Sequence, residues 1–141
     1  VAAQHADAYV LAADTVVAVG ARILPKTHDE DAARRCLALL SGRAHRVFTA
    51  VCLVAPPDTP NAPSTHSLRI AQARVKVNRL HPDEIDAYIA SGEWRGKAGG
   101  YAIQGQAARF IPWISGSYTA IVGLPLAQTV SLLKGAGYRP L

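Results

Sequence analysis

A carboxylate inside an apolar run, a lysine shortly after it, and a distant glycine-rich stretch with a second lysine and a glutamine are the residues suited to chemistry. Asp14 interrupts residues 9–19 (YVLAADTVVAV). A carboxylate there must be hydrogen-bonded, paired or used, because burying it alone is costly. Gly20-Ala21-Arg22 reads as a hairpin turn into a short strand at Ile23-Leu24, which brings Lys26 back towards the Asp14 end. Downstream, residues 91–105 (SGEWRGKAGGYAIQG) hold five glycines in fifteen positions, too many for a regular helix. Such a backbone lets amide N–H groups approach an anion, and Lys97 adds a compact positive charge. Glu93, Arg95, Lys97 and Gln104 can each hold phosphate, metal or a base edge. A charged surface turn would look similar, and Asp14-Thr15 upstream tips the reading towards a site.

Composition bounds the classes of partner. A chain of 141 residues is expected to fold as one domain with a real core. Half the residues are hydrophobic and 18% are charged, which fits a globular chain rather than a disordered one. The net charge of +5 suits anionic ligands. Aromatics are sparse and not interleaved with the basic residues, which disfavours stacking on nucleic acid. Cys36 and Cys52 lie in apolar patterns without CxxC spacing, as expected of reduced thiols in a cytoplasmic protein. No apolar run reaches the ~18 residues of a membrane span.

The elements that must position these groups follow in order. Residues 9–19 read as a buried strand. Thr27 and Glu30 form a capping box for a helix to about Leu40, with Ala33, Cys36, Leu37 and Leu40 on its buried face. Ser41-Gly42 ends it, and residues 47–54 form the next strand. His45, at the strand entry, is expected to make one structural hydrogen bond. Residues 55–66, with four prolines, read as a solvated loop. Residues 67–80 resume strand character with a bulge between Ile70 and Ala73, and Arg74, Lys76 and Arg79 read as a charged, protected edge. Pro82 opens a second helix that Gly92 closes. The glycine-rich stretch therefore leaves a helix C-terminus, and neither GxxxxGK[ST] nor GxGxxG is present, so side chains and loop amides must hold any phosphate. Residues 107–114 and 118–122 read as two strands joined at 115–117, and Pro125 starts a last helix.

Three segments in order, ADTVV at 13–17, SGRAHRVFT at 41–49 and the glycine-rich stretch, resemble the Maf-like nucleotide pyrophosphatases. Ser115-Gly116-Ser117-Tyr118 and VGLPL at 122–126 resemble that family's C-terminal signature. The resemblance implies an α/β fold with a mixed, elongated central sheet flanked by helices and a cleft between two lobes. It implies cleavage of a nucleoside triphosphate to the monophosphate and pyrophosphate with a divalent cation, magnesium or manganese, and allows a homodimer. By position, Asp14 would accept the proton of the attacking water and Lys26 would hold phosphate; on charge alone, Lys26 and Lys97 can take the negative charge that develops on the leaving pyrophosphate. Thr15 and Gln104 would contact the base, and Asp14-Thr15 with the GGYAIQG loop is similar to the branch acting on dTTP and UTP. Around Lys26 the family usually shows Gly-Lys-Pro, here Pro25-Lys26-Thr27. The family's opening Ser-x-Ser-Pro-Arg-Arg-type loop has no counterpart, which implies a domain truncated before Val1. Two other classes stay open at this point: a basic nucleic-acid-binding module using Arg74, Lys76, Arg79, Arg95 and Lys97, and a non-catalytic interaction protein of cell division.

Overall fold

One long strand, β1 (Val10–Val19), organises the sheet. Its second half is flanked on one side by β2 (Arg22–Leu24), with Val17 opposite Leu24. On the other side β3 (Ala44–Val54) pairs along almost the whole strand, placing Thr15 opposite Thr49. β4 (Ser67–Lys76) and β5 (Trp113–Gly116) complete the order β2-β1-β3-β4-β5. This is a computed structural model that describes residues 1–60 and 66–139. The α/β class expected from the sequence is the one observed. Where the resemblance implies a mixed sheet, every strand pairing among the described residues is antiparallel.

One face of the sheet carries the core. Alternate β3 residues His45, Val47, Thr49, Val51 and Leu53 are buried, as the two-residue strand period requires. At one end they pack with α1 (Glu30–Leu40), α2 (Pro82–Ser91) and the segment after α2, where Leu37, Leu40, Tyr88, Trp94 and Phe110 belong to one large cluster. At the other end Val51 and Leu53 meet Leu132 of α4 (Leu126–Gly135) and its C-cap Ala136 in a smaller one. The other face is largely bare. Cys52 pairs with Leu68 and Ala50 with Ile70, and Leu68 and Ile70 are 49% and 64% exposed.

That bare face corrects one expectation. The apolar pattern of residues 67–80 changes phase at Ile70, yet β4 pairs with β3 without a bulge from Ser67 to Lys76. The cause is two apolar side chains on the open face. Three further expectations change. The buried side of α1 is as anticipated, but its N-cap is Asp29, whose carboxylate accepts from the Ala32 N–H at 2.7 Å. Thr27 is instead fully buried, with its hydroxyl donating to the Trp94 carbonyl. β3 starts at Ala44, three residues earlier than expected. Residues 106–110 form a 3-10 turn (Gln106–Phe110) before β5, and 118–122 form a short helix, α3 (Tyr118–Val122), capped by the Ser117 hydroxyl. Cap chemistry outweighed the β-branched content there. In the proline-rich loop, Thr59 turns back to the Pro56 carbonyl, and residues 61–65 lie outside the described residues.

Thr27 ties the loop after α2 to the start of α1. Replacing it with valine keeps the shape and removes the donor to Trp94. We expect a loss of about 1–3 kcal/mol, the cost of stripping a partner from a buried polar group. Urea denaturation of Thr27→Val checks this, and a midpoint equal to the parent's would contradict it.

Candidate active-site cleft

The strand β1 delivers Asp14 and Thr15, and the hairpin to β2 returns the chain so that Lys26 lies beside Asp14. The Lys26 ammonium donates to the Asp14 carboxylate at 3.2 Å. Both groups are exposed, at 56% and 71%. The hydrogen bond from Lys26, with the Thr15 backbone N–H and the lysine charge, holds the Asp14 carboxyl below its ordinary value, so Asp14 is a carboxylate at neutral pH. An exposed ion pair of this kind is weakly held. Either member is free to exchange its partner for a ligand.

The glycine-rich segment closes the other wall. Its backbone is stitched to the turn after β2: Thr27 N–H donates to the Lys97 carbonyl, Gly96 N–H to Thr27, and Gly99 N–H to Pro25, with Lys26 and Ala98 bridged. Gly99 has φ +67, and a Cβ there would sit 3.0 Å from Val17. Only glycine allows that approach. The segment thus carries Lys97 and Gln104 to the cleft. Glu93, grouped with the ligand-holding residues on sequence, instead ties the segment to the turn that follows, its carboxylate accepting from the Gln106 N–H at 2.7 Å. Arg95 lies over the Trp94 ring at 4.4 Å.

Together these elements enclose a cleft of about 250 Å³ whose lining includes Asp14, Thr15, Lys26, Lys97 and Gln104. All five residues singled out on sequence converge there. The third wall is α3, through Ile121 and Val122, and the floor includes Val47 and Tyr101. The basic stripe lies elsewhere. Lys76 donates to the Gly42 carbonyl at 2.7 Å, and Arg74 lies over Trp113 at 6.0 Å. Sequence reading missed Tyr101, Thr49 and α3, because a buried tyrosine or threonine looks like core until its hydroxyl partners are known.

His45 makes the single structural bond expected of it. It is buried, its Nε2 lies 2.7 Å from the Tyr101 hydroxyl, and its Nδ1 has no partner among the described residues. Burial pushes its pKa down from 6.5 to about 4 and pushes the Tyr101 phenol up. His45 therefore stays neutral and anchors Tyr101, and so the glycine-rich segment, from beneath.

A Maf-like protein family model matches residues 1–136. The chain belongs to the Maf-like family. It is 59% identical over 132 residues to the dTTP/UTP pyrophosphatase of Maricaulis maris (strain MCS10), covering 94% of this chain and 61% of that one. With the dTTP/UTP pyrophosphatases of Chelativorans sp. (strain BNC1) and Brucella abortus (strain 2308) it shares 57% over 136 residues, 96% of this chain and 62% of each relative. This Maf-like chain spans about three fifths of the length of the curated relatives it matches. The described residues contain no helix long and apolar enough to cross a membrane, and Cys36 and Cys52 are free thiols.

The neutral His45 sets a pH dependence of stability. Its folded value of about 4 lies below the unfolded 6.5, so the unfolded state binds the proton first. The stabilisation is complete above pH 6.5 and is lost as pH falls towards 4, by up to roughly 3 kcal/mol. His45→Gln, which can still hydrogen-bond Tyr101, should flatten stability over that interval. Denaturant midpoints measured across it test this, and an unchanged slope would contradict it.

Proposed function

We propose that this chain forms the base and phosphate cleft of a nucleoside triphosphate pyrophosphatase acting on dTTP and UTP. The observation that carries this is the convergence of Asp14, Thr15, Lys26, Lys97 and Gln104, from distant parts of the sequence, on one cleft. Water attacks the α-phosphorus, the bond from that phosphorus to the bridging oxygen breaks, and monophosphate and pyrophosphate separate. Asp14 takes the proton from the water as general base. Lys26, released from Asp14, and Lys97 meet the negative charge that develops on the leaving pyrophosphate. Thr15 and Gln104 meet the base, where dTTP and UTP offer carbonyls and an N–H to hydroxyl and amide partners.

The residues present fit a divalent cation. Among the described residues no cluster of three or more His, Cys, Asp or Glu side chains converges, and Asp14 is the one carboxylate lining the cleft. Magnesium and manganese sites of this sort use one or two carboxylates and take further oxygens from substrate phosphate and water. In place of taking the proton directly, Asp14 would share the ion, which when bound supplies neutralisation of the triphosphate charge and lowers the pKa of the water. We place the reaction in the reduced cytoplasm, in keeping with two free thiols, and take the homodimer as the assembly to test by light scattering.

Pyrophosphate release from dTTP with magnesium is the direct test, on this chain alone and joined to the part of the Maricaulis maris relative outside the match. Asp14→Asn keeps size and removes the base, and should lower turnover at least ~10²-fold. Lys26→Ala and Lys97→Ala should each lower kcat/KM about 10-fold or more, the scale of a lost charge-assisted hydrogen bond. Gln104→Ala should erode the preference for dTTP over GTP more than it lowers the rate. Turnover by Asp14→Asn close to the parent's would remove Asp14 from its role, and equal use of GTP and dTTP by the parent would remove the pyrimidine assignment.

A further inference from the structure

Beneath Thr15 lies a second hydroxyl that the proposed reaction does not use. Thr49 stands directly opposite Thr15 in the β1–β3 pairing, is fully buried, and places its hydroxyl oxygen 2.8 Å from that of Thr15. Its other contact is the Ala120 carbonyl in α3, at 2.7 Å. Near the end of this five-residue helix a carbonyl lacks an intrahelical donor, and the following N–H groups of Gly123 and Leu124 both turn to Thr119 instead.

A carbonyl can only accept, so the single Thr49 proton goes to Ala120. Between the two threonines Thr15 must then donate, and its proton points across the face of the sheet to β3. What it offers the cleft is lone pairs alone. We infer that Thr49 fixes the polarity of the Thr15 hydroxyl, making the base end of the cleft an obligate hydrogen-bond acceptor that selects a ligand ring bearing an N–H. Thr49 is a specificity-determining positioning residue, and this inference rests on the pyrimidine nucleotide reading given above.

The chemistry separates the pyrimidines. The ring N–H of uracil and thymine, flanked by two carbonyls, donates to Thr15, while the Gln104 amide is free to donate to a carbonyl. Cytosine has an unprotonated nitrogen at that ring position, and two acceptors facing each other leave both unpaired in a partly desolvated site. A site built on a hydrogen bond rejects the ligand that lacks it more strongly than one built on shape.

Calorimetric binding of UMP, N3-methyl-UMP and CMP to this chain needs no substitution. UMP should bind at least ~10-fold more tightly than either of the others, the factor for one unpaired buried group. In Thr49→Val the Thr15 proton is free to turn towards the ligand, so the UMP-to-CMP ratio should fall to within about 3-fold, while Thr49→Ser, which keeps the relay, should restore it. A merely structural Thr49 would weaken UMP and CMP alike in the valine variant and leave their ratio intact, which overturns the inference. Equal binding of UMP and N3-methyl-UMP by the parent overturns it too, with the pyrimidine site still standing. Failure of the parent to bind any of the three would remove the pyrimidine-site reading and this inference together.

Discussion

The approach of the glycine-rich backbone to β1 is the constraint on which the cleft depends. At Gly99 the main chain comes so close to Val17 that a Cβ would sit 3.0 Å from a valine methyl, and the backbone bonds to Thr27 and Pro25 lock that distance. A side chain at Gly99 would lift the segment off the strand, in a left-handed conformation that L residues resist. Lys97 and Gln104 would move with it. Asp14, Thr15 and Lys26, held by the sheet and its hairpin, would keep their places and lose the opposite wall. The site is thus one rigid half and one half that is rigid only because glycine lets it dock.

Below this seam lie groups that titrate or relay but face no solvent. His45 and Tyr101 support the glycine segment from the core, and Thr49 supports Thr15 from the sheet. Both supports join a cleft residue to an otherwise apolar layer, where an unpaired polar atom is costly and a paired one has little freedom. Cleft geometry is therefore fixed by buried pairs. The exposed Asp14–Lys26 pair is the contrasting case: weakly held and solvated, it is able to open for a ligand.

The helices α1, α2 and α4 and the first hairpin were legible in the sequence because local signals and packing agree there. The spacing of Ala33, Cys36, Leu37 and Leu40, Pro82 at a helix start and Gly92 at its end leave few alternatives. Asp14, Thr15, Lys26, Lys97 and Gln104 were legible as candidates because polar groups in an apolar strand or a glycine-rich stretch stand out. What failed depended on tertiary context. Thr27 looks like a cap, but a cap and a buried tie use the same hydroxyl, and Asp29 two residues on competes for the helix start. Tyr118–Val122 has strand composition and becomes helix because Ser117 caps its start and Gly123 ends it. The apolar Leu68 and Ile70 look like a change of register, since the pattern cannot say which sheet face is covered.

That uncovered face bears on how the two halves of the function relate. Leu68, Ile70, Phe48, Ala50 and Cys52 share it, whereas the Thr15–Thr49 pair, Val47 and Tyr101 lie on the side this chain packs itself. Apolar surface left in water contributes nothing to stability, and a contiguous patch of it favours association. The cost of this open face falls on the stability and solubility of the 141 residues, and the face also adjoins the cleft, because Asp14 stands opposite Ala50 and leaves β1 on that same side. The positions of Lys97, Gln104 and Thr15 in this chain are therefore set by the seam at Gly99 and the buried pairs beneath it. Whatever covers the far face alters how firmly the sheet is held and neighbours Asp14 directly, whereas Thr15 and Thr49 face the side this chain packs itself.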